Sequence, residues 1–321
     1  MGIVVIAPGM QTLIQDTGRP GYARFGVARS GAIDLESWRR ANRAVGNAVP
    51  DTHRDDAGPA TLEVLIGGLE FITTANLTMA ISGAEVAVTA LDSAGEQREL
   101  TRDTAHHLEP GTTVSMSRAK NGLRAYVAFE GGLVAPAVLG SRSYDTTAQL
   151  GPLPLVGGLE LAVATHKQGQ SGQLDQANTA TAASTATAAS TADAPQPFAQ
   201  PTPSTFHLTP GPDADLLRAK PDVLTAAPWK IAPSSSRAGI RLITSTNDIA
   251  PLASAASLPS TPALPGAVQA FPSCELVVLG PDGPTTGGYP VVAVMSRADL
   301  SRLSQIRPGA AVRLITTTDE T

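Results

Sequence analysis

The segment that decides the fold class is ATLEVLIGGLEFITTANLTMAISGAEVAVTAL, which runs from Ala60 to Leu91. Apolar and polar residues alternate along it in short runs, and Gly-Gly and Ser-Gly-Ala interrupt these runs. Alternation with a period of two predicts β-strands, and glycine between the runs predicts turns. Similar runs bounded by glycine or proline recur as LRAYVAFEGGL, CELVVLG and YPVVAVMS. Short strands at roughly ten-residue spacing are typical of barrels and sandwiches, so the sequence predicts a mainly β protein.

Two segments predict helices instead of strands. Asp34 can cap a helix whose apolar face begins at Leu35 and whose end is marked by Gly46. Ser296 and Asp299 form a capping-box pattern, and apolar residues follow it at helical spacing. The expected fold is therefore β-rich with a few short helices.

The chain of 321 residues is long enough for two domains, each with its own core. From Gln168 to Ser204 the sequence consists mostly of Ala, Thr, Ser, Gln and Pro, and it contains the near-repeat TAASTATAASTADA. Such a segment cannot bury enough apolar area to offset its chain entropy, and its threonines and prolines disfavour an alanine-rich helix. We therefore expect a disordered linker at 168–204 between β domains at 1–167 and 205–319.

A short internal similarity supports the idea of two related domains. LEPGTTVSM (Leu108 to Met116) and IRPGAAVRL (Ile306 to Leu314) both place a Pro-Gly turn before an alternating strand. This shared spacing is what two β domains of common origin would retain.

Composition and charge argue against several classes of partner. The net charge is −5 and no block of lysine or arginine is present, which argues against nucleic acid. The N-terminal apolar run of about six residues is too short for a signal peptide or a membrane span. Cys274 is the single cysteine, which excludes a disulfide framework within the chain and favours a reducing compartment. We expect a cytoplasmic protein that does not contact a membrane.

Familiar catalytic signatures are absent from the sequence. We find neither the dinucleotide-binding GxGxxG, nor the phosphate-binding GxxxxGK followed by Ser or Thr, nor HExxH, nor GxSxG. Of the five histidines only His106 and His107 are adjacent, and neighbouring residues of a strand point to opposite faces. We therefore expect no metal site.

Polar, glycine-rich clusters interrupt the apolar strands and hold the candidate site residues. The clusters are Thr12 to Asn47, SSSRAGIRL (234–242), LPGAVQ (264–269) and PTTGGYPVVAVM (284–295). A compact loop is the simpler interpretation of any single cluster, because Asp, Gly and Pro form tight turns without a ligand. The candidates that they supply are Gln15, Asp16, Arg19, Ser30, Asp34, Asn42, Arg237, Gln269, Thr285, Thr286, Gly287, Gly288 and Tyr289.

Taken together, the clusters resemble one family. GMQTLIQDTGRPGYARFGVARSGAIDLESWRRANRAVGN (Gly9 to Asn47) resembles the opening of the biotin-dependent carboxyltransferase family, which includes the C subunit of 5-oxoprolinase, KipA and the allophanate-hydrolase-subunit-2-like part of urea carboxylase. The matching elements are QDTGRPG, SGAID and ANRAVGN. The resemblance continues through LEVLIGG, ISGAEV, AYVAFEGGL and LGSRS and resumes after the linker with SSSRAGIRL, LPGAVQ, PTTGGYPVVAVM and ADLSRLSQIRPGAAVRL.

The resemblance implies a fold, an activity and partners. It implies two tandem cyclophilin-like β-barrel domains. It implies an ATP-dependent 5-oxoprolinase complex that hydrolyses 5-oxo-L-proline to L-glutamate, in which this chain pairs with a KipI-like B subunit and a LamB/YcsF-like A subunit. The alternatives are biotin-dependent carboxyl transfer to urea or a related amide, or a KipA-like regulator that binds a KipI-like partner without chemistry. No nucleotide motif is visible, so ATP could be held by one of the partners.

The residue types suit a small amide substrate that carries an anionic group. The oxygen of a planar amide develops negative charge when the amide is attacked, and pre-aimed N–H donors stabilise that oxygen. The Thr285, Thr286, Gly287 and Gly288 turn would supply backbone amides and hydroxyls, and Tyr289 would add an O–H donor.

The predicted catalytic residues are charged. Arg19 or Arg237 would clamp a carboxylate or phosphate. Asp16 or Asp34 would orient those arginines or act as a base, and capping the helix is an equally simple role for Asp34. Gln15, Ser30, Asn42 and Gln269 are predicted to contact the substrate, and a satisfied core amide is the alternative for Asn42.

The sequence also departs from the family pattern. Asp282-Gly283-Pro284 stands where the family usually has Asp-x-Gln, and proline has no N–H donor. Ser236 stands where the family usually has the acid that precedes the arginine. These departures favour the regulatory alternative.

Overall fold

A computed structural model describes residues 2–50, 57–164, 204–217, 223–245, 251–252 and 258–316. The prediction of a mainly β protein with few helices is confirmed. The predicted linker falls almost wholly at 165–203, outside the described residues, and its last residue, Ser204, already belongs to a strand. Among the described residues, no helix is both long and apolar enough to cross a membrane.

The N-terminal half consists of two sheets that enclose one core. The sheet orders are β11-β12-β1-β4-β9-β6-β7 and β2-β3-β10-β5-β8. Strand β4 shows the predicted alternation, with Leu69 and Phe71 buried in the core. The element bounds are β1 Gly2–Pro8, β2 Gln11–Gln15, α1 Leu35–Ala44, β3 Thr61–Leu65, β4 Leu69–Thr73, β5 Leu77–Glu85, β6 Val88–Leu91, β7 Gln97–Glu99, β8 His106–Leu108, β9 Thr113–Met116, β10 Asn121–Phe129, β11 Leu133–Val134 and β12 Glu160–Val163.

The C-terminal half contains a closed barrel. Its strand order is β13-β20-β17-β18-β15-β14-β21, and the parallel pairing of β13 with β21 joins the two ends of the half. Phe206, Trp229 and Leu314 are fully or almost fully buried inside it. The bounds are β13 Ser204–Pro210, α2 Val223–Ala226, β14 Trp229–Ile231, β15 Gly239–Ile243, β16 Thr261–Pro262, β17 Ala267–Ala270, β18 Glu275–Leu279, β19 Thr286–Gly287, β20 Val291–Met295, α3 Arg297–Leu303 and β21 Ala311–Thr316.

Both predicted helices are confirmed, and both begin at the predicted caps. The Asp34 carboxylate accepts a hydrogen bond from the backbone N–H of Ser37 (3.0 Å), and Ser296 accepts one from Asp299. Helix α1 packs its apolar face, including Trp38, against strands β5 and β10. The local sequence signals therefore set the helix starts.

Buried polar contacts join the two halves. The Gln305 side chain, which follows α3, accepts hydrogen bonds from the N–H groups of Leu123 (2.8 Å) and Arg124 (2.9 Å). Its amide nitrogen donates to the Asp34 carboxylate (2.6 Å). Arg124 in turn donates to the carbonyl oxygen of Ser304 (2.6 Å). These contacts hold α1 and α3 side by side and so fix the interface between the halves.

Candidate functional site

The Gln15 to Gly21 loop is tied down by hydrogen bonds to Asp16. This carboxylate is fully buried and accepts from the backbone of Gly18 (2.8 Å) and Arg142 (2.6 Å) and from the hydroxyls of Ser141 and Ser143. Burial raises the pKa of Asp16, although these hydrogen bonds favour the ionised form and oppose the shift. The contacts give Asp16 a position that shapes the loop, and its predicted catalytic role stays a prediction.

The same loop needs glycine for a close approach of two backbones. Gly18 has a φ of +89°, and a Cβ added there would lie 2.5 Å from the carbonyl oxygens of Arg29 and Ser30. Gly31 has a φ of +95°, and its Cβ would meet the backbone of Thr17 at 2.7 Å. The two glycines therefore let the first and second motifs of the sequence stack against each other.

Three more predicted residues, Gln15, Arg19 and Ser30, form hydrogen bonds with backbone carbonyl oxygens of the segment 138–144. Gln15 donates to the carbonyl oxygen of Tyr144 (2.8 Å), and the Ser30 hydroxyl donates to the same oxygen (3.1 Å). Arg19 is 1% exposed and donates to the carbonyl oxygens of Ser143 and, at 3.3 Å, Val138. Burial lowers the pKa of Arg19, although the nearby Asp16 and other carboxylates oppose the shift.

Arg237 lies at the centre of an ion-pair network between the two halves. It is 3% exposed and binds both oxygens of Asp282, with distances of 2.8 and 3.0 Å. It also donates to Glu63 of β3 (2.7 Å) and to the carbonyl oxygen of Gly31 (2.5 Å). Burial alone would lower the pKa of Arg237, but its attraction to Asp282 and Glu63 outweighs burial and raises the pKa. The carboxylates that pair with Arg237 in this chain are therefore those of Asp282 and Glu63.

Asp34 and Asn42 have structural partners in helix α1. Asp34 caps the helix and accepts from Gln305, and burial raises its pKa. The Asn42 amide donates to the carbonyl oxygen of Trp38 (3.1 Å) and accepts from Asn47 (2.8 Å). These hydrogen bonds favour the alternative interpretation of Asn42, a core amide whose donors and acceptor have partners. Its contact with the substrate stays a prediction.

The Thr285 to Tyr289 turn forms a short exposed ribbon. Thr286 and Gly287 pair with Thr261 and Pro262, and the Gln269 side chain lies against the ribbon. A Cβ at Gly287 would be 2.8 Å from the Gln269 amide nitrogen, so glycine is what allows this approach. Tyr289 is 44% exposed and stacks on Phe271, with ring centroids 3.9 Å apart.

A cavity opens at the interface of the two halves. It has about 420 Å³ of empty space, part of which is open to solvent. Helix α3 and the segments around Pro265 and Pro281 face the segment 17–35 across it. The lining residues are Thr17, Arg29, Ser30, Ala32, Ile33, Leu35, Pro265, Pro281, Arg297, Leu300 and Ser301.

Two of the four glycine-rich clusters contribute to the cavity lining, the Thr12 to Asn47 cluster and, through Pro265, the cluster at 264–269. Pro265 follows the ribbon residue Pro262 by three positions, a span of at most about 11 Å. Ser30 lines the cavity and donates its backbone N–H to the carbonyl oxygen of Pro281 (2.8 Å), which closes the wall between the halves. Of the predicted site residues, Ser30 alone is among those that line this cavity, while Asp16, Arg19 and Arg237 lie in the buried framework near it.

A comparison with known families decides the relationship. The sequence profile of the carboxyltransferase domain, subdomain A and B, matches residues 25–316. The chain belongs to this carboxyltransferase family. The match includes both sides of the interface that forms the cavity, and it confirms the resemblance carried by the sequence motifs.

Individual members of the family are similar over nearly the whole chain. The chain is 28% identical to the C subunit of 5-oxoprolinase from Escherichia coli over 314 residues, which cover 97% of this chain and 90% of that protein. The crystal structure of TTHA0988 is 28% identical with a TM-score of 0.73, and the match covers 98% of this chain and 56% of that chain. The crystal structure of Kluyveromyces lactis urea amidolyase is 26% identical with a TM-score of 0.76, and the match covers 99% of this chain and 19% of that chain.

Three features of this family member were missed at the sequence level. Arg29 precedes the predicted Ser30 and reads as an ordinary surface charge. Arg297 opens a helix in the other half of the chain, and Glu63 occupies a polar position of an alternating strand. For Arg29, its position beside a glycine-rich motif was a signal that could have indicated a site residue. For Arg297 and Glu63 the sequence contains no such signal, because their neighbours in the fold are distant along the chain.

Proposed function

We propose that this chain is the C subunit of an ATP-dependent 5-oxoprolinase-like complex, which hydrolyses 5-oxo-L-proline to L-glutamate in the cytoplasm. The observation that carries the proposal is the cavity between the two halves, with its mostly apolar walls, hydroxyls and two arginines. The similarity to the C subunit of a 5-oxoprolinase along 90% of that protein supports it.

The chemistry of the cavity suits 5-oxoproline. This molecule has apolar ring methylenes, a planar ring amide and a carboxylate. Ile33, Leu35 and Leu300 offer apolar surface, while Thr17 and Ser301 offer hydroxyls at the wall. A concave, mostly apolar site with a few polar groups is the usual form of a small-molecule site. In this proposal the chain binds and orients the substrate and keeps bulk water away from the ring amide.

The requirement for ATP is implied by the family resemblance and not by the residues of this cavity. A triphosphate is usually held by a glycine-rich loop whose backbone amides cradle the phosphates, with a lysine beside it. The cavity instead presents two guanidinium groups between mostly apolar walls, which suits one small anion. We therefore assign ATP binding to one of the partners, of the KipI-like B or LamB/YcsF-like A type.

Carboxyl transfer from biotin is the second candidate function. The description of the matching family as a carboxyltransferase domain favours it, as does the structural similarity to a urea amidolyase. Urea has no carboxylate and no apolar part, so the cavity walls fit 5-oxoproline better. A substrate test therefore separates the two candidates.

The experiment is to co-purify the chain with its A and B subunits and to measure glutamate release from 5-oxoproline and ATP. The variant Pro265→Trp fills the cavity, and Pro212→Trp is the matched control, because Pro212 is exposed and lies outside the cavity lining. The proposal predicts release that Pro265→Trp abolishes and Pro212→Trp retains.

Three results would contradict the proposal. A stable complex without glutamate release, but with carboxylation of urea when a biotin carboxylase and carrier are added, would establish the second candidate. A stable complex with neither activity would favour a KipA-like regulator. Failure to form a complex would remove the inferred partnership.

A further inference from the structure

The residues that line the interdomain cavity carry positive charge. Arg29 and Arg297 both contribute to its lining, and none of the eleven lining residues is acidic. The nearby Arg39 pairs with Glu36 at 2.6 Å, on the exposed side of helix α1. The lining therefore presents positive charge without a carboxylate of its own.

Arg29 has spare hydrogen-bonding capacity at this position. Its Nε donates a long hydrogen bond to the carbonyl oxygen of Thr17 (3.4 Å). Its Nη2 is buried and, among the described residues, has no hydrogen-bond partner. Arg237, in the same interface, instead binds two carboxylates. A buried guanidinium nitrogen without a partner is costly, so a ligand oxygen that satisfied it would be held strongly.

The charge of Arg29 persists at neutral pH. Burial and the repulsion from Arg297 lower its pKa to about 10, which still leaves the guanidinium protonated in the cell. Burial and the repulsion from Arg39 also lower the pKa of Arg297. An anion placed between these groups would relieve the repulsion as well as the missing hydrogen bond.

The apolar residues of the cavity wall indicate which class of anion the cavity would bind. Ala32, Ile33, Leu35 and Leu300, together with Pro265 and Pro281, give the cavity apolar sides. An inorganic phosphate would leave these sides uncovered, whereas a small organic acid would place its carboxylate at the arginine and its apolar body against the walls.

We propose that Arg29 is the anchoring residue for the carboxylate of a small organic acid, with an apolar ring or chain, that occupies the cavity between the two halves. The identification of this acid with 5-oxoproline rests on the proposed function, but the ligand class does not. Arg29 acts as a binding residue that selects ligands with a carboxylate, and Arg297 adds to the positive potential.

The test is calorimetric titration of the isolated full-length chain, without ATP or the other members of the complex. The ligands are 5-oxoproline, cyclopentanecarboxylate, inorganic phosphate and 2-pyrrolidinone, which has the ring amide of 5-oxoproline but no carboxylate. The variants are Arg29→Gln and the matched control Arg313→Gln, which removes an exposed arginine of strand β21. Circular dichroism and the melting temperature verify that both variants fold.

The expected result is that at least one of the two carboxylates binds, and that Arg29→Gln weakens this binding by about 10- to 100-fold while Arg313→Gln does not. 2-Pyrrolidinone should bind no better to the wild type than to Arg29→Gln. The proposal is overturned if phosphate binds more tightly than both carboxylates, or if no carboxylate binding depends on Arg29.

The binding test and the activity test fail independently. Binding of cyclopentanecarboxylate through Arg29, with no glutamate release by the complex, would keep this inference and remove the proposed function. Glutamate release that Arg29→Gln leaves unchanged would keep the proposed function and remove this inference.

Discussion

The Arg237→Ala variant should lose much of its stability, because Arg237 joins Glu63 of one half to Asp282 of the other. The side chains are 3%, 4% and 0% exposed. Removing one partner of a buried ion pair leaves an uncompensated charge and typically costs about 3–5 kcal/mol. Thr146 would still donate two hydrogen bonds to Asp282, and Arg124 would remain 3.5 Å from Glu63. We therefore expect the lower end of that range, about 3 kcal/mol.

The measurement is the free energy of unfolding in urea, followed by circular dichroism. Arg241→Ala is the matched control, since Arg241 pairs with Glu275 at 2.9 Å while the side chains are 37% and 28% exposed. Such a pair is worth about 0.2–1 kcal/mol. If Arg237→Ala costs no more than Arg241→Ala, the inference that this ion pair holds the halves together is refuted. A loss of activity in Arg237→Ala would then have to come from a direct role of Arg237 in the reaction and not from lost stability.

Three further predictions concern the backbone and the titrating groups. Gly18→Ala should lower the free energy of unfolding by well over about 1 kcal/mol, and by more than Gly26→Ala does. Both glycines have a positive φ, but only a Cβ at Gly18 would lie 2.5 Å from backbone oxygens. Equal urea midpoints of the two variants would contradict this prediction. Burial raises the pKa of Asp282, but the charge of Arg237 outweighs it and lowers the pKa below 3.8. The stability that Asp282 contributes should therefore be present above pH 3.8 and lost as the pH falls through its folded-state pKa. In Asp282→Asn the free energy of unfolding should therefore fall less steeply at acidic pH than in the wild type. Identical acid unfolding curves of the variant and the wild type would contradict this prediction. Carboxylate binding by Arg29 should weaken as the pH rises through about 10 in calorimetric titrations, because burial and Arg297 lower the pKa of Arg29 to about 10; a constant affinity across that pH would contradict the lowered pKa.

Local signals in the sequence predicted the elements well. The alternation between Ala60 and Leu91 yields strands β3 to β6, and Asp34 and Ser296 start their helices as the capping patterns require. These features depend on residues within one or two turns of each other, so a single sequence contains the information.

The interface could not be predicted in this way. Glu63 occupies a polar position in an alternating strand, which normally faces solvent, yet it is 3% exposed and its carboxylate binds Arg237 of the other half as well as Tyr126. The two residues are 174 positions apart, and nothing local to either one indicates the other. Predicted site residues such as Asp16 and Arg237 therefore proved to be buried and bonded within the framework of the interface.

The cavity itself depends on the same long-range placement. Arg29 and Arg297 each read as a surface charge, and only the packing of α3 beside the first glycine-rich motifs makes them neighbours across one cavity. The first cluster that carries the resemblance to the carboxyltransferase family contains Ser30, which is next to Arg29 and also lines the cavity.

In the proposed function, the cavity between the halves binds the substrate through Arg29. The most direct test of this binding is the KM for 5-oxoproline of the complete complex, measured by ATP-dependent glutamate release with Arg29→Gln and, as control, Arg313→Gln. The KM should rise about 10- to 100-fold in Arg29→Gln, with the complex intact and the control unchanged. An unchanged KM in an active Arg29→Gln complex would contradict this proposal.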